Sequence, residues 1–321
     1  SFGGDPEQIT IAGQSAGAGS VLTQMTCPDN FGLFQRAVIM SGMIRSPYAE
    51  EGMGIPPSLD EAEKLGEKFF DYLGVKTLAE ARKLDAKYIR DCYDKFMYEN
   101  EIMVTSRDNN ICIGDPIRLF AQGKYAGVPV LAGNTEDEFL FVIDAQNEEE
   151  LEKKASAWFC KKAEEFLAIP QVHEQTKDGY APVSGMELMT KAAFLLNQKS
   201  VKPANCYYYR FAPDIPGEDH PGTFHSVDLW FFFETLAKCW RPFVGRHYDF
   251  ARQMCNYWAN FIKYGDPNGT DDDGKVLPKW NPYQENDRAE MVFTAQGAKS
   301  GNEKNSKLME FLLSDRIERM K

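Results

Sequence analysis

Gly13-Gln14-Ser15-Ala16-Gly17 is the run in this 321-residue chain best suited to chemistry. A serine hydroxyl attacks an acyl carbon only if it projects clear of the backbone and a base can take its proton. A sharp strand-to-helix turn gives that projection, at the cost of strained dihedrals at the serine. The turn brings the residues two before and two after close together, so both are expected to be small. Gly13 and Gly17 satisfy this. The N–H of Ala16, at the helix start, then becomes a donor for an oxyanion. The spacing alone is a weak signal, because G-x-S-x-G arises by chance in about one chain of this length in ten. The competing assignment is a Gly-rich helix start with Ser15 as its cap.

A serine nucleophile needs a base, and the base needs an orienting acid. The chain has four histidines, at 173, 220, 225 and 247. His220 precedes a proline, and His173 and His247 lie in helical or polar surroundings that suit surface or capping roles. His225 stands in "GTFHSVDLWFFF". Upstream, "VPVLAGNTEDEFLF" supplies three carboxylates, Glu136, Asp137 and Glu138, after an apolar run.

The elements that must carry these residues follow from the pattern. Residues 8–13 read as a short strand ending at the serine motif, and 16–26 as a helix. A second apolar strand is expected over 36–42 and another over 128–135. Ser58 with Glu61 three residues on forms a capping-box pattern that opens a helical stretch, and Gly74 can close its first helix. Residues 147–169 and "VSGMELMTKAAFLLNQKS" read as helices. "CYYYRF", 206–211, reads as the last core strand, 228–264 as mostly helical, and the C-terminal tail as a charged helix. Strands alternating with helices predict an α/β layer with a mainly parallel sheet.

Bulk properties exclude several classes. Hydrophobic residues make up 43% of the chain and charged residues 26%, ordinary for a globular protein. The net charge of −12 carries no basic footprint for nucleic acid. No apolar run is long enough to span a bilayer. Seven irregularly spaced cysteines, with no C-x-x-C and no zinc spacing, predict buried reduced thiols and a cytoplasmic location.

The serine motif extends further. "FGGDPEQITIAGQSAG" resembles the type-B carboxylesterase signature, F-G-G-x4-apolar-x-apolar-x-G-x-S-x-G, with every fixed position filled. That family is the cholinesterase-like branch of the α/β-hydrolase fold. "FIKYGDPNG", "LPKWNPY" and "RAEMVF" look like its C-terminal segments. The resemblance implies one α/β-hydrolase domain over 1–321, with helices on both faces of the sheet and a helical insertion at about 56–110. It implies a serine esterase that cleaves small-molecule esters through an acyl-enzyme, without cofactor or metal.

Carried onto these residues, the resemblance makes Ser15 the nucleophile and His225 the base, since the family's chain order is Ser, acid, His. Alignment on Gly133 and the Asp-Glu pair selects Glu138 as the acid and leaves Glu136 and Asp137 as solvated turn residues. Ala16 N–H is the oxyanion donor. Ser41, in "VIMSG", matches a serine that hydrogen-bonds the acid. Asp228 matches a buried second acid and is also placed to cap a helix before "LWFFF". Phe139, Phe141, Phe194, Trp230 and Phe231 are large apolar side chains that could line an acyl or alcohol pocket, with a place in the core as the commoner alternative for each. The resemblance covers the C-terminal part of the family's length. It therefore implies a missing N-terminal half carrying the earlier strands and the Gly-rich oxyanion loop, and an exposed apolar edge on strand 8–13. The alternatives are an inactive fragment or a cholinesterase-like interaction module that keeps the fold without the chemistry.

Overall fold

A computed structural model describes residues 3–50, 54–99 and 105–321. The chain divides into two compact units, one of Ser1–Gly54 with Pro116–Lys321 and one of Ile55–Asp115.

The first unit begins with β1 (Thr10–Gln14), α1 (Ala16–Thr26) and β2 (Arg36–Met40). The second unit holds α2 (Leu59–Leu73), α3 (Leu78–Ala81) and α4 (Ala86–Glu99). The first then resumes with α5 (Pro116–Ala121), β3 (Val130–Thr135), β4 (Leu140–Ile143), α6 (Glu148–Phe159), α7 (Ala163–Leu167), β5 (Gln175–Thr176), β6 (Gly179–Ser184) and α8 (Gly185–Asn197). It closes with β7 (Cys206–Phe211), α9 (Asp228–Phe232), α10 (Gly245–Tyr264), β8 (Ala289–Thr294), β9 (Gly297–Asn302) and α11 (Lys307–Met320).

Six strands form one sheet in the order β1-β2-β3-β7-β8-β9, parallel except for the β8–β9 hairpin. β2 and β3 are buried at every residue, as expected for strands covered on both faces. Their alternation divides the core in two. Ala37, Ile39, Val130, Ala132 and Tyr208 face one cluster with residues of α1, α5, α8 and α11. Val38, Met40, Leu131, Tyr209 and Phe211 face the other, built from α9, α10 and β8. β1 lies at the sheet edge and is only partly buried. A separate antiparallel sheet has the order β4-β6-β5.

In the second unit, Ser58 Oγ accepts from Glu61 N–H, and Glu61 returns a bond to Ser58 N–H at 2.7 Å. Gly74 ends α2 in the left-handed region at φ 71°. Both features match the sequence pattern.

Two expectations change. β7 is not the last core strand, because β8 and β9 extend the sheet beyond it. The cysteines are thiols, but only Cys27, Cys112 and Cys206 are buried, and Cys160 is exposed. Residues 228–264 are mostly helical as expected, with α9 ending at Phe232, α10 starting at Gly245 and Pro242 between them. The sheet β4-β6-β5 has no counterpart in the sequence pattern.

Candidate active site

β1, β3 and β7 run parallel, so their carboxyl ends open on the same edge of the sheet. Ser15 follows β1 directly, Glu138 follows β3 by three residues, and His225 lies in the loop after β7. Open α/β sheets place their sites at this edge.

Ser15 adopts φ 55° and ψ −122°, a conformation that costs a side chain of order 1–3 kcal/mol. Two backbone bonds hold it there. Its N–H donates to Met40 O at 2.9 Å and its carbonyl accepts from Gly19 N–H at 3.0 Å. The hydroxyl makes no capping bond to α1, which removes the helix-cap assignment. Ala16 is the first residue of α1 and is exposed. The two glycines differ. A Cβ on Gly13 would lie 2.3 Å from Gly17 O, whereas one on Gly17 would meet nothing within 4 Å. Only Gly13 is sterically required, because its missing Cβ is what admits the first turn of α1.

His225 Nδ1 lies 2.6 Å from Glu138 Oε2. The Glu138 side chain is fully buried and that of His225 is 16% exposed. The other carboxylate oxygen, Oε1, accepts from Thr135 N–H at 3.2 Å. The carboxylate raises the histidine pKa, with burial opposing it more weakly. Pairing at Nδ1 places the proton there and leaves Nε2 as the acceptor. That acceptor is engaged by Gln14, whose amide nitrogen lies 3.2 Å from Nε2. Among the described residues no hydrogen bond joins Ser15 to His225. The side chain at the end of β1 reaches the ring first.

The expected supporting residues are arranged differently. Ser41 is 1% exposed with φ 51°, and its hydroxyl has no partner among the described residues. It does not bond Glu138, whose oxygens are taken by Thr135 and His225. Asp228 is completely buried and accepts from the Tyr209 hydroxyl at 2.8 Å, while its Oδ1 has no partner among the described residues. Burial pushes its carboxyl up to about 6. It is the first residue of α9, and the cap position falls to Val227.

The aromatics divide between surface and core. Phe139 is 55% exposed, with its ring centroid 4.8 Å from that of His225. Phe141 and Trp230 are half-buried, the latter against Phe224 and Phe243. Phe194 and Phe231 are wholly buried and take no part in a pocket wall. Phe194 packs on Phe120 and Tyr283, and Phe231 on Phe211 and Phe250. His173 pairs with Glu148 at 2.7 Å, and His247 Nδ1 accepts from Val244 N–H at the start of α10. Glu136 pairs with Arg210 and Asp137 bonds Thr223, so neither is a simply solvated turn carboxylate. Among the described residues no group of three or more His, Cys, Asp or Glu is placed to hold a metal, and no helix is long and apolar enough to cross a membrane.

A parallel sheet with a strained serine after one strand, and an acid–histidine pair after two others, defines an α/β-hydrolase. Residues 1–312 match the model of the carboxylesterase family, and the chain belongs to that family. It is 28% identical over 319 residues to a bile salt-activated lipase of Bos taurus, covering 88% of this chain and 52% of the relative. It is 24% identical over 322 residues to a para-nitrobenzyl esterase of Bacillus subtilis (strain 168), covering 92% of this chain and 60% of the relative. The solved structure of a PNB esterase superposes with a TM-score of 0.71 at 20% identity, covering 97% of this chain and 64% of that one. The chain thus spans about half the length of the curated relatives it matches.

Proposed function

We propose that the protein is a serine hydrolase of small carboxylic esters. In this mechanism Ser15 Oγ attacks the ester carbonyl while His225 Nε2 takes its proton. Glu138 holds the imidazole by Nδ1–H and favours its charged form. Ala16 N–H donates to the oxyanion. The tetrahedral intermediate collapses, the carbon–oxygen bond to the alcohol breaks, and His225–H⁺ protonates the leaving oxygen. Water then attacks the acyl-enzyme with the same histidine as base, releasing the acid and restoring the Ser15 hydroxyl. Gln14 must give up its bond to Nε2 before the first step. As the family resemblance implies, a Gly-rich loop of a missing N-terminal half would supply the other oxyanion donors.

The observation that carries this reading is the Glu138–His225 pair at 2.6 Å, with the His225 ring 3.2 Å from the amide of Gln14, the residue before the strained turn at Ser15. The alternatives of an inactive fragment or an interaction module predict an unreactive serine. A fluorophosphonate probe decides between them. The expected result is labelling at Ser15, located by peptide mass, and its loss in Ser15→Ala and His225→Ala. Nitrophenyl ester turnover should fall by about 10⁴ to 10⁶ in the same variants. Labelling elsewhere, or none, refutes the proposal.

A further inference from the structure

Two short segments meet beside the acid–histidine pair, and Asp137 joins them. Its Oδ2 accepts from Thr223 N–H at 2.6 Å and from Thr223 Oγ1 at 3.0 Å. Its own N–H donates to Thr223 O at 3.2 Å. An isolated parallel bridge pairs Asp137 with Phe224. Thr223 is 4% exposed, so the groups it offers are withdrawn from solvent and depend on this partner.

The register gives the bridge its meaning. One residue beyond Asp137 is Glu138, and one residue beyond Phe224 is His225. Pairing 137 with 224 therefore brings 138 alongside 225, where the 2.6 Å bond forms. A slip of one residue would turn the side chains to opposite faces. Gly222 completes the arrangement. It sits at φ +64°, and a Cβ there would lie 2.5 Å from Asp137 Oδ2. That Cβ would drive the carboxylate off Thr223.

We propose that Asp137 is a positioning residue, whose carboxylate clasps Thr223 and so fixes the register in which Glu138 meets His225. The role rests on the proposed function of that pair, but it touches neither substrate nor reacting atoms. The charged groups acting on the imidazole are Glu138 and Asp228. Asp137 acts on it only through geometry.

The test is a titration of the histidine rings by NMR. The protein has four histidines, and His173, paired with Glu148, serves as the internal reference. Asp137→Ala should lower the His225 midpoint by about half a pH unit or more, toward the ordinary histidine value. His173 should stay in place. Asp137→Asn keeps an oxygen that can accept from both Thr223 groups, and should restore the wild-type midpoint. If Asn moves His225 as far as Ala does, the effect is one of charge and the clasp is refuted. If a folded Asp137→Ala leaves His225 unmoved, it is refuted as well. Should Asp137→Ala not fold, Gly222→Ala applies the same displacement with Asp137 present. It should lower the midpoint likewise, and an unchanged midpoint overturns the proposal.

On nitrophenyl esters, kcat/KM should fall about tenfold to 10²-fold in Asp137→Ala, mainly through kcat, and recover in Asp137→Asn. A protein with no turnover and no phosphonate labelling would remove the proposed function. The ring titration would still decide the clasp.

Discussion

Asp228 should cost the folded protein stability at neutral pH, and replacing it with Asn should recover that stability. The side chain is completely buried, and its Oδ2 accepts from the Tyr209 hydroxyl. Burial in this setting raises the carboxyl to about 6, some two pH units above its ordinary value. At 1.36 kcal/mol per pH unit this corresponds to about 3 kcal/mol. The sign follows from which state holds the proton more tightly. The folded state does, so the contribution is fully present below about pH 4 and is lost as pH rises through about 6. Asn keeps an oxygen acceptor for Tyr209 and has no proton to lose. Denaturant unfolding of wild type and Asp228→Asn across about pH 4 to 8 reads the group together with its coupling to Glu138 and His225, because titrations it does not act on cancel in the difference. The variant should gain up to about 3 kcal/mol on wild type between those limits, with a plateau above about pH 7. A stability difference that does not change with pH would refute the reasoning.

Gly13→Ala should destabilise the fold by about 1–3 kcal/mol or prevent it, because its Cβ would press on backbone 2.3 Å away. Gly17→Ala, facing open space, should unfold at nearly the wild-type temperature. Ester turnover should fall on the acid side as His225 takes up its proton. The midpoint of that limb should lie above the ordinary histidine value, because Glu138 raises the pKa. Glu138→Gln should bring the limb back down and lower kcat by about 10⁴, as loss of the orienting carboxylate does in such sites.

The parts of the site read correctly from sequence are those whose cause is local. The alternation of "ITIA" and the glycine at 13 are enough to write a strand, a turn and a helix around Ser15. The capping box at Ser58 is equally local. What escaped depends on distant partners. β9, "GAKSGN", has almost no strand propensity and is extended because β8 supplies its hydrogen bonds. Gln14 occupies a variable position of the motif, and nothing in its neighbours announces a contact with His225. Asp137 reads as a turn carboxylate until the loop after β7 is brought against it. Phe194 and Phe231 look no different from Phe139 in sequence. Only the packing of α8 and α9 sends them into the core. The glycine at 17 was over-read, since a symmetrical motif has an asymmetrical steric demand.

The site draws on three parallel strands, and this sets a timetable for the newly made chain. His225 follows Ser15 by 210 positions. At about 5–20 residues per second, synthesis leaves Ser15 without His225, its proposed base, for about 10 to 40 seconds. Through that interval β1, β2 and then β3 can assemble in order, but the imidazole does not yet exist. Once β7 is made, it aligns on β3 from Val130–Cys206 through Thr135–Phe211, and the loop that follows it delivers the histidine. Under the proposed mechanism, reactivity would therefore be withheld by the order of the sequence, and a ribosome-bound chain would carry an inert hydroxyl until β7 and the loop after it are in place.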